Sequence, residues 1–410
     1  MKNKSLTPQI RFKGYDDEWQ QAKVKDVFTL GNGYTPSKAN PAFWTGGTIP
    51  WFRMEDIREN GRVLSDSIQH VTPEAVKSSG LFPAGSIIVS TTATIGEHAL
   101  LIADSLANQR FTVFQTVNRW SWLKAKYLLY RFYSLGDWCR KNVNAGGLAA
   151  VSITDLQKYD IDFPSTAEER DSIADYFDNI DKLLVDTERE ITRLEKMKQA
   201  SLQKMFPRPG ENTPEIRFDG FTEPWKIIRL SQIGEVRMCK RIMKYQTSEI
   251  GEVPFYKIGT FGKSPDAYIS YILFEEYKRL YPFPQKGDVI ISAAGTIGRS
   301  VVYDGKPAYF QDSNLIWLEN DNSIVDNSFL AIVLPMINWA SSSTTISRIY
   351  NDTVRQTYII VPPSVEEQKN ISGYFRNLDA IIYAKRQKLE KLQNLKQSCL
   401  DKMFINTSAQ

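Results

Sequence analysis

The segment PQIRFKGYDDEW at 8–19 returns as PEIRFDGFTEPW at 214–225, so that Ile10, Arg11, Phe12, Gly14 and Trp19 match Ile216, Arg217, Phe218, Gly220 and Trp225. Further pairs follow in the same order. FPAGSIIVSTTATIG at 82–96 answers FPQKGDVIISAAGTIG at 283–298, and EERDSIADYFDNIDKLL at 168–184 answers EEQKNISGYFRNLDAII at 366–382. KQASLQKMF at 198–206 closes one copy and KQSCLDKMF at 396–404 the other. Ordered matches at offsets of 206, 202 and 198 define a duplicated unit of about 200 residues, and any fold for this chain must be built twice.

Each copy has the same plan. A lead-in ends at Trp19 or Trp225, a mixed region follows, and a long helical segment closes the copy. The expected boundaries are 1–165 for the first mixed domain with its lead-in, 166–206 for the first long helix and 207–213 for a proline- and glycine-bearing linker. The second mixed domain then covers 214–364, the second long helix 365–404 and a tail 405–410. Within the mixed regions, GSIIVST, GDVIISA, TVFQTV and NLIWL are short β-branched runs that read as strands. One helix is expected in each, at 122–134 and at 327–340, the latter interrupted by Pro335.

The closing segments carry a different period. Ile173, Phe177, Ile180, Leu184, Thr187, Ile191 and Leu194 alternate spacings of four and three, as do Ile371, Phe375, Leu378, Ile382, Lys385, Leu389 and Leu392. That is a coiled-coil seam with one threonine and one lysine as weak points. The predicted fold class is therefore α+β, in two repeated units, each a mixed α/β domain plus a long helix. The two helices are expected to pair as an antiparallel coiled coil, since a two-fold relation between the copies reverses one rod against the other.

Several chemistries are disfavoured. Cys139, Cys239 and Cys399 are scattered, and His70 and His98 are the only histidines, so neither a cysteine zinc site nor a histidine-based triad is expected. The GKS at 262–264 has Lys257 where the first glycine of a phosphate loop belongs. No [ND]PP[YF] motif of an aminomethyltransferase occurs; the prolines of VPPS at 361–364 precede a helix instead. No catalytic residue and no metal ligand is assigned. No segment is apolar enough to span a membrane and no apolar stretch follows the basic start, so the cytoplasm is the expected location.

A net charge of +4 permits an acidic partner without demanding one. The densest basic run, RMCKRIMK at 237–244, holds Arg237, Lys240, Arg241 and Lys244 with no acid between them, which suits phosphates and equally suits a solvated face. In the first copy Lys38, Arg53, Arg58 and Arg62 lie around the aromatic stretch FWTGGTIPWFRMEDIRENGR, either meeting DNA or closing a core edge. The glycines Gly96, Gly295 and Gly298 either turn the chain between strands or let backbone approach a phosphate, with Thr94 and Thr296 as donors.

The doubled lead-in, GYTPSK at 33–38 before IPWFRMEDI at 49–57, the repeated TIG, the FPST and VPPSVEEQ entries to long helices and the terminal KMF together resemble the specificity subunits of type I restriction-modification systems. The resemblance covers nearly the whole chain and implies a DNA-binding protein with no chemistry of its own. Its mixed domains would be target recognition domains, each reading half of a bipartite, asymmetric double-stranded DNA target. Its helices would be the spacer and the docking surface for two modification (methyltransferase) subunits, with restriction (translocase-endonuclease) subunits joining them. S-adenosylmethionine, ATP and Mg2+ would serve adenine N6 methylation and cleavage in those partners. The second copy lacks the GxTP and IPW forms, carrying KYQTSEIGEVPFYKIGTFG at 244–262, so its reading loops are not placed by this match. A structural adaptor that reads no DNA is the alternative function.

Overall fold

The computed structural model describes residues 6–144, 149–339 and 348–405. The chain divides into two compact units, one formed by residues 1–189 and 386–410 and the other by 190–385.

In the first unit the β-branched runs become strands. Phe28–Asn32, Phe111–Thr116, Ile87–Ser90, His98–Leu101 and Val63–Leu64 lie side by side in that order. Neighbours are antiparallel except the last pair, in which Val63–Leu64 runs parallel to His98–Leu101. A smaller sheet places Ile49–Phe52 between His70–Val71 and Leu106–Ala107. The helix Ala125–Lys141 lies against Ile87–Ser90 and His98–Leu101 and buries Tyr127, Leu128, Phe132 and Leu135. Gln20–Lys23 pairs with Asp160–Phe163, whose chain then runs into the first long helix.

The second unit repeats the plan. Its main sheet orders Gly234–Met238, Leu315–Asn320, Val289–Ser292 and Ser300–Val302, and its small sheet places Val253–Tyr256 between Tyr268–Ile269 and Tyr309–Phe310. Lys226–Arg229 pairs with Tyr358–Val361 ahead of the second long helix. The helix expected at 122–134 runs instead over Ala125–Lys141, because a 3-10 turn at Asn118–Trp120 occupies the preceding chain. The one expected at 327–340 stops at Val333, where Pro335 turns it into a 3-10 segment, Leu334–Met336; its last residue, 340, lies outside the described residues. Met54–Asn60 in the first unit and Tyr271–Leu280 in the second have no counterpart in the predicted pattern, and neither do the shorter helices Val24–Val27, Ile153–Leu156 and Asn351–Gln356.

The long helices are Ala167–Lys204 and Val365–Met403. Thr166 Oγ1 and Ser364 Oγ accept the N–H of Glu169 and Glu367, both at 3.4 Å, so each helix starts on a Ser/Thr cap with a glutamate three residues on. Both glutamates are fully buried, and each is gripped by the arginine of a lead-in. Arg11 holds Glu169 through Nε at 2.6 Å and Nη2 at 2.8 Å, and Arg217 holds Glu367 at 2.7 and 2.8 Å. The residue before each arginine bonds the far end of a helix: Ile10 N–H donates to the Lys402 carbonyl at 3.0 Å and Ile216 N–H to that of Lys204 at 2.9 Å.

These contacts show that the compact units are not the sequence repeats. Phe404, the last residue of the second copy, packs edge-on against Trp19 and stacks on Phe177 in the first unit. Phe206, the last residue of the first copy, packs in the same way against Trp225 and stacks on Phe329 in the second. Each core is thus completed by the helix end of the other copy.

Within each unit the helical segments run antiparallel. In the first, Tyr176 meets Cys399 and Asp181 meets Lys396; in the second, Ser201 meets Tyr374, Lys198 meets Asp379 and Glu190 meets Lys385. Of the seam residues, Ile173, Phe177, Ile180, Ile191, Ile371, Phe375, Leu378 and Ile382 are buried, and Leu184, Leu194, Leu389 and Leu392 half-buried. Thr187 satisfies its hydroxyl on the Leu183 carbonyl at 2.6 Å, and Lys385 is neutralised by Glu190, so both polar positions are accommodated. Among the described residues no helix is long and apolar enough to cross a membrane.

Candidate nucleic-acid interface

The strand registers bring a set of loops to one edge of each main sheet. In the first unit Asn32 pairs with Thr112, Ser90 with Phe111 and Val89 with His98. The loops after Asn32, after Ser90 and before Phe111 therefore leave the sheet together. Backbone bonds tie them: Gly33 N–H donates to Phe111 at 2.9 Å, Tyr34 N–H to Ala107 at 2.7 Å and Thr91 N–H to Arg110 at 3.0 Å. Gly33 is required here, because a Cβ would sit 2.1 Å from the Asn108 carbonyl. Asn108 N–H reaches the Phe52 carbonyl at 3.0 Å, which brings Arg53 to the same edge.

The second unit repeats this edge. Met238 pairs with Ile316, Ser292 with Leu315 and Ile291 with Ser300. Ala293 N–H donates to Asn314 at 2.8 Å, Gln311 N–H to Tyr256 at 2.9 Å and the Tyr309 hydroxyl to the Lys240 carbonyl at 3.0 Å.

The residues singled out in the sequence fall into two groups. Lys38 is exposed on the first edge with no charged partner among the described residues. Arg53 lies 5.6 Å from the centroid of the Trp51 ring, with its buried Nε 3.9 Å from Glu55 Oε2 and making no hydrogen bond. Lys240, beside the Tyr281 ring, and Lys244 are exposed, and Thr296 is exposed at its hairpin tip. The other group is engaged at home. Arg62 holds Glu97 at 2.9 Å and lies 4.7 Å from the Tyr133 ring, which makes it a core-edge residue. Arg237 pairs with Glu319 at 2.8 Å and Glu235 at 3.1 Å, and Arg241 with Asp312 at 2.8 Å. The run that is free of acids in sequence is thus partly neutralised, Arg237 by Glu319 and Glu235 and Arg241 by Asp312. Thr94 shares its hydroxyl with Ser90 at 3.2 Å, and Arg58 is exposed on the helix Met54–Asn60.

The repeated TIG glycines have a packing role. Gly96 has φ +87° and a Cβ on it would meet the Gly136 carbonyl at 2.4 Å; Gly298 has φ +79° and would meet the Trp339 ring at 2.6 Å. Each hairpin is pressed onto chain of its own unit. Gly295 is exposed, with φ +65°, and is a plain turn.

Sequence reasoning missed the loop before the strand Phe111–Thr116. Asn108 caps it by accepting the Arg110 N–H at 3.0 Å, and Thr35 donates its hydroxyl to the Gln109 amide oxygen. Arg110 projects exposed, with no side-chain partner among the described residues. The corresponding loop, 311–314, holds Gln311, Asp312, Ser313 and Asn314, with Ser313 at φ 56°. The run Asn-Gln-Arg immediately before a strand was the available signal, since these side chains hydrogen-bond base edges well. Among the described residues no group of three His, Cys, Asp or Glu is placed to hold a metal ion.

Comparison with known proteins agrees with this duplicated geometry. The family model described as type I restriction modification DNA specificity domain matches twice, at residues 16–196 and 222–394. A putative type I restriction enzyme specificity subunit of Haemophilus influenzae is 51% identical over 148 residues, covering 36% of this chain and 38% of that protein. The EcoprrI specificity subunit of Escherichia coli is 46% identical over 162 residues, 39% of this chain and 40% of its own length. The matched segments thus span about two fifths of those relatives. The MjaIX specificity subunit of Methanocaldococcus jannaschii is 23% identical across 95% of this chain and 93% of that one. A crystal structure of a type I S subunit from M. genitalium shares the fold, with a TM-score of 0.62 at 15% identity over 98% of this chain and all of that one. The chain belongs to the type I restriction-modification DNA specificity family.

Proposed function

We propose that the chain is the sequence-reading subunit of a type I restriction-modification complex, each unit presenting its loop edge to one half of a bipartite DNA target. The observation that carries this is the repeated edge with unlike loops. One edge offers Lys38, Arg53, Gln109 and Arg110, the other Lys240, Lys244, Gln311 and Asp312. Equal edges would suit a palindrome; these suit an asymmetric target. The lysines set register on phosphates, and Arg110 and Gln109 reach base edges. Adenine N6 methylation and cleavage fall to partner subunits that carry S-adenosylmethionine, ATP and Mg2+, and the long helices supply the spacer and the docking surface.

The test is a genome-wide map of N6-methyladenine in cells expressing this chain with its modification subunit. One bipartite motif is expected, with one half altered when 20–160 is exchanged and the other when 226–360 is exchanged. Arg110→Ala should relax one position of the first half, costing about 1–3 kcal/mol of discrimination there. Lys240→Ala with Lys244→Ala should weaken all sequences alike and flatten the salt dependence by about one unit per lost phosphate contact. An unchanged map from a complex shown to assemble would sink the DNA-reading role and favour the adaptor.

A further inference from the structure

The two helix ends reach their cores through the same contacts. Met403 and Phe404 are buried, as are Met205 and Phe206, with each phenylalanine against a lead-in tryptophan. Each end also gives a lysine carbonyl to a lead-in isoleucine. None of these contacts tells one end from the other. The cores themselves differ at one buried spot. In the first unit Arg131 and Asp162 form an ion pair with both side chains fully buried. Arg131 Nε donates to the Asp162 carbonyl at 3.2 Å, and Nη1 to the Tyr159 hydroxyl at 3.2 Å.

The second unit is apolar there. Asp162 pairs with Gln21 and Ile360 with Ile227 in the equivalent strand pairs, so Ile360 stands where the first unit has Asp162. Tyr127 and Phe329 are the rings that meet Phe404 and Phe206, and four residues further along their helices come Arg131 and the buried Val333. The incoming ends differ to match. After the shared KMF one continues with Ile405 and the other with Pro207. Asp162 Oδ1 is taken by Arg131 Nη2, while Oδ2 makes no hydrogen bond among the described residues. Burial raises the Asp162 pKa; the Arg131 charge opposes that, and so does the backbone N–H of Ile405, which faces the carboxylate. Pro207 has no N–H, and the side chain of Ile360 accepts none.

We propose that these residues are a key that assigns each helix end to its core: the Arg131–Asp162 pair selects the end that continues with a backbone N–H, and the apolar core of the second unit takes the end that continues with proline. A first-copy end offered by another chain brings Pro207 to Asp162 and takes a donor from a buried carboxylate. A buried ion pair adds little stability over an apolar pair of the same size, and its better-attested use is to set register and partner. First copies therefore complete second copies, and chains do not join through like halves. The key does not depend on the DNA-reading role.

The test gives the first core a first-copy end. The backbone accepts proline at this place, as Pro207 shows after the same KMF. In the intact chain Ile405→Pro should quicken amide hydrogen exchange across 396–404 about ten-fold over Ile405→Ala, which trims the side chain but keeps the N–H. The other end, 198–206, should exchange as before. With Arg131→Val and Asp162→Ile, which install the apolar core, the proline and alanine variants should exchange alike. A proline no worse than alanine in the native core, or equally worse in both cores, overturns the key. A chain ligated at Cys399 and carrying an ester in place of the Phe404–Ile405 amide deletes the N–H alone. It should show the same gain of about ten-fold in the native core even where the core variants fail to fold. Exchange at the native rate in that chain equally overturns the proposal.

Discussion

At the scale of single residues, His98 shows how a histidine is used as core. Its Nε2 donates to the Leu129 carbonyl at 2.9 Å, and its Nδ1, 3.3 Å from Arg62 Nη1, accepts from it. Burial, aided by the Arg62 charge, pushes its pKa down to about 3. A histidine released by unfolding titrates near 6.5, so as pH falls below that value the unfolded chain takes up a proton that the folded chain refuses. Stability is then lost at ~1.4 kcal/mol per pH unit down to the folded pKa. Urea midpoints should fall between pH 6.5 and 5, and His98→Gln should flatten that slope; an unaltered slope would place its origin elsewhere. The same neighbourhood marks what local sequence conceals. Gly96 was legible as special, yet the reason is Gly136, 40 residues on in a helix, whose own Cβ would lie 2.5 Å from the Gly96 carbonyl. Nothing near either residue announces that contact.

At the scale of elements, the doubled lead-in resolves into a clamp on helix ends. Arg11 and Glu169 are 10% and 1% exposed at their side chains, and Arg217 and Glu367 12% and 0%. Removing one member leaves a buried charge unpaired, so Glu169→Ala should cost about 3–5 kcal/mol, while Arg11→Met with Glu169→Leu should cost far less. A double-mutant cycle by urea denaturation measures the difference, and additive losses would refute the clamp. Glu367→Ala should cost more than Glu169→Ala, since Glu367 also accepts the Trp225 indole N–H at 3.3 Å, whereas the Trp19 indole N–H takes no partner among the described residues. The seam residues were legible in advance, because an i, i+3, i+4 pattern reports burial locally. The pairing of Arg237 with Glu319 was not, because strand neighbours 82 positions apart share no local pattern. That is why the basic run at 237–244 reads as a free patch in sequence and as a partly neutralised one in the fold.

For the whole molecule, duplication and α+β class were legible from ordered repeats alone, but the exchange of helix ends was not, since repeats in sequence do not state which copy completes which core. The exchange has a consequence for connectivity. Ile216 bonds Lys204 across the linker 207–213, and Ile10 bonds Lys402 in the same manner with no linker joining them. The two junctions are chemically alike: an isoleucine N–H on a helix-terminal lysine carbonyl, followed by the arginine clamp and the buried tryptophan. A rearranged chain opened at 207–213, with residue 405 joined to residue 6 through a segment of similar length, keeps every one of these contacts. It should fold to the same thermal midpoint and, in the proposed DNA-reading role, direct methylation by the modification subunit to the same motif. Loss of folding would show that the continuity of the chain through 207–213 contributes more than the contacts at its ends, and a shifted motif would show that the linker sets the geometry of reading.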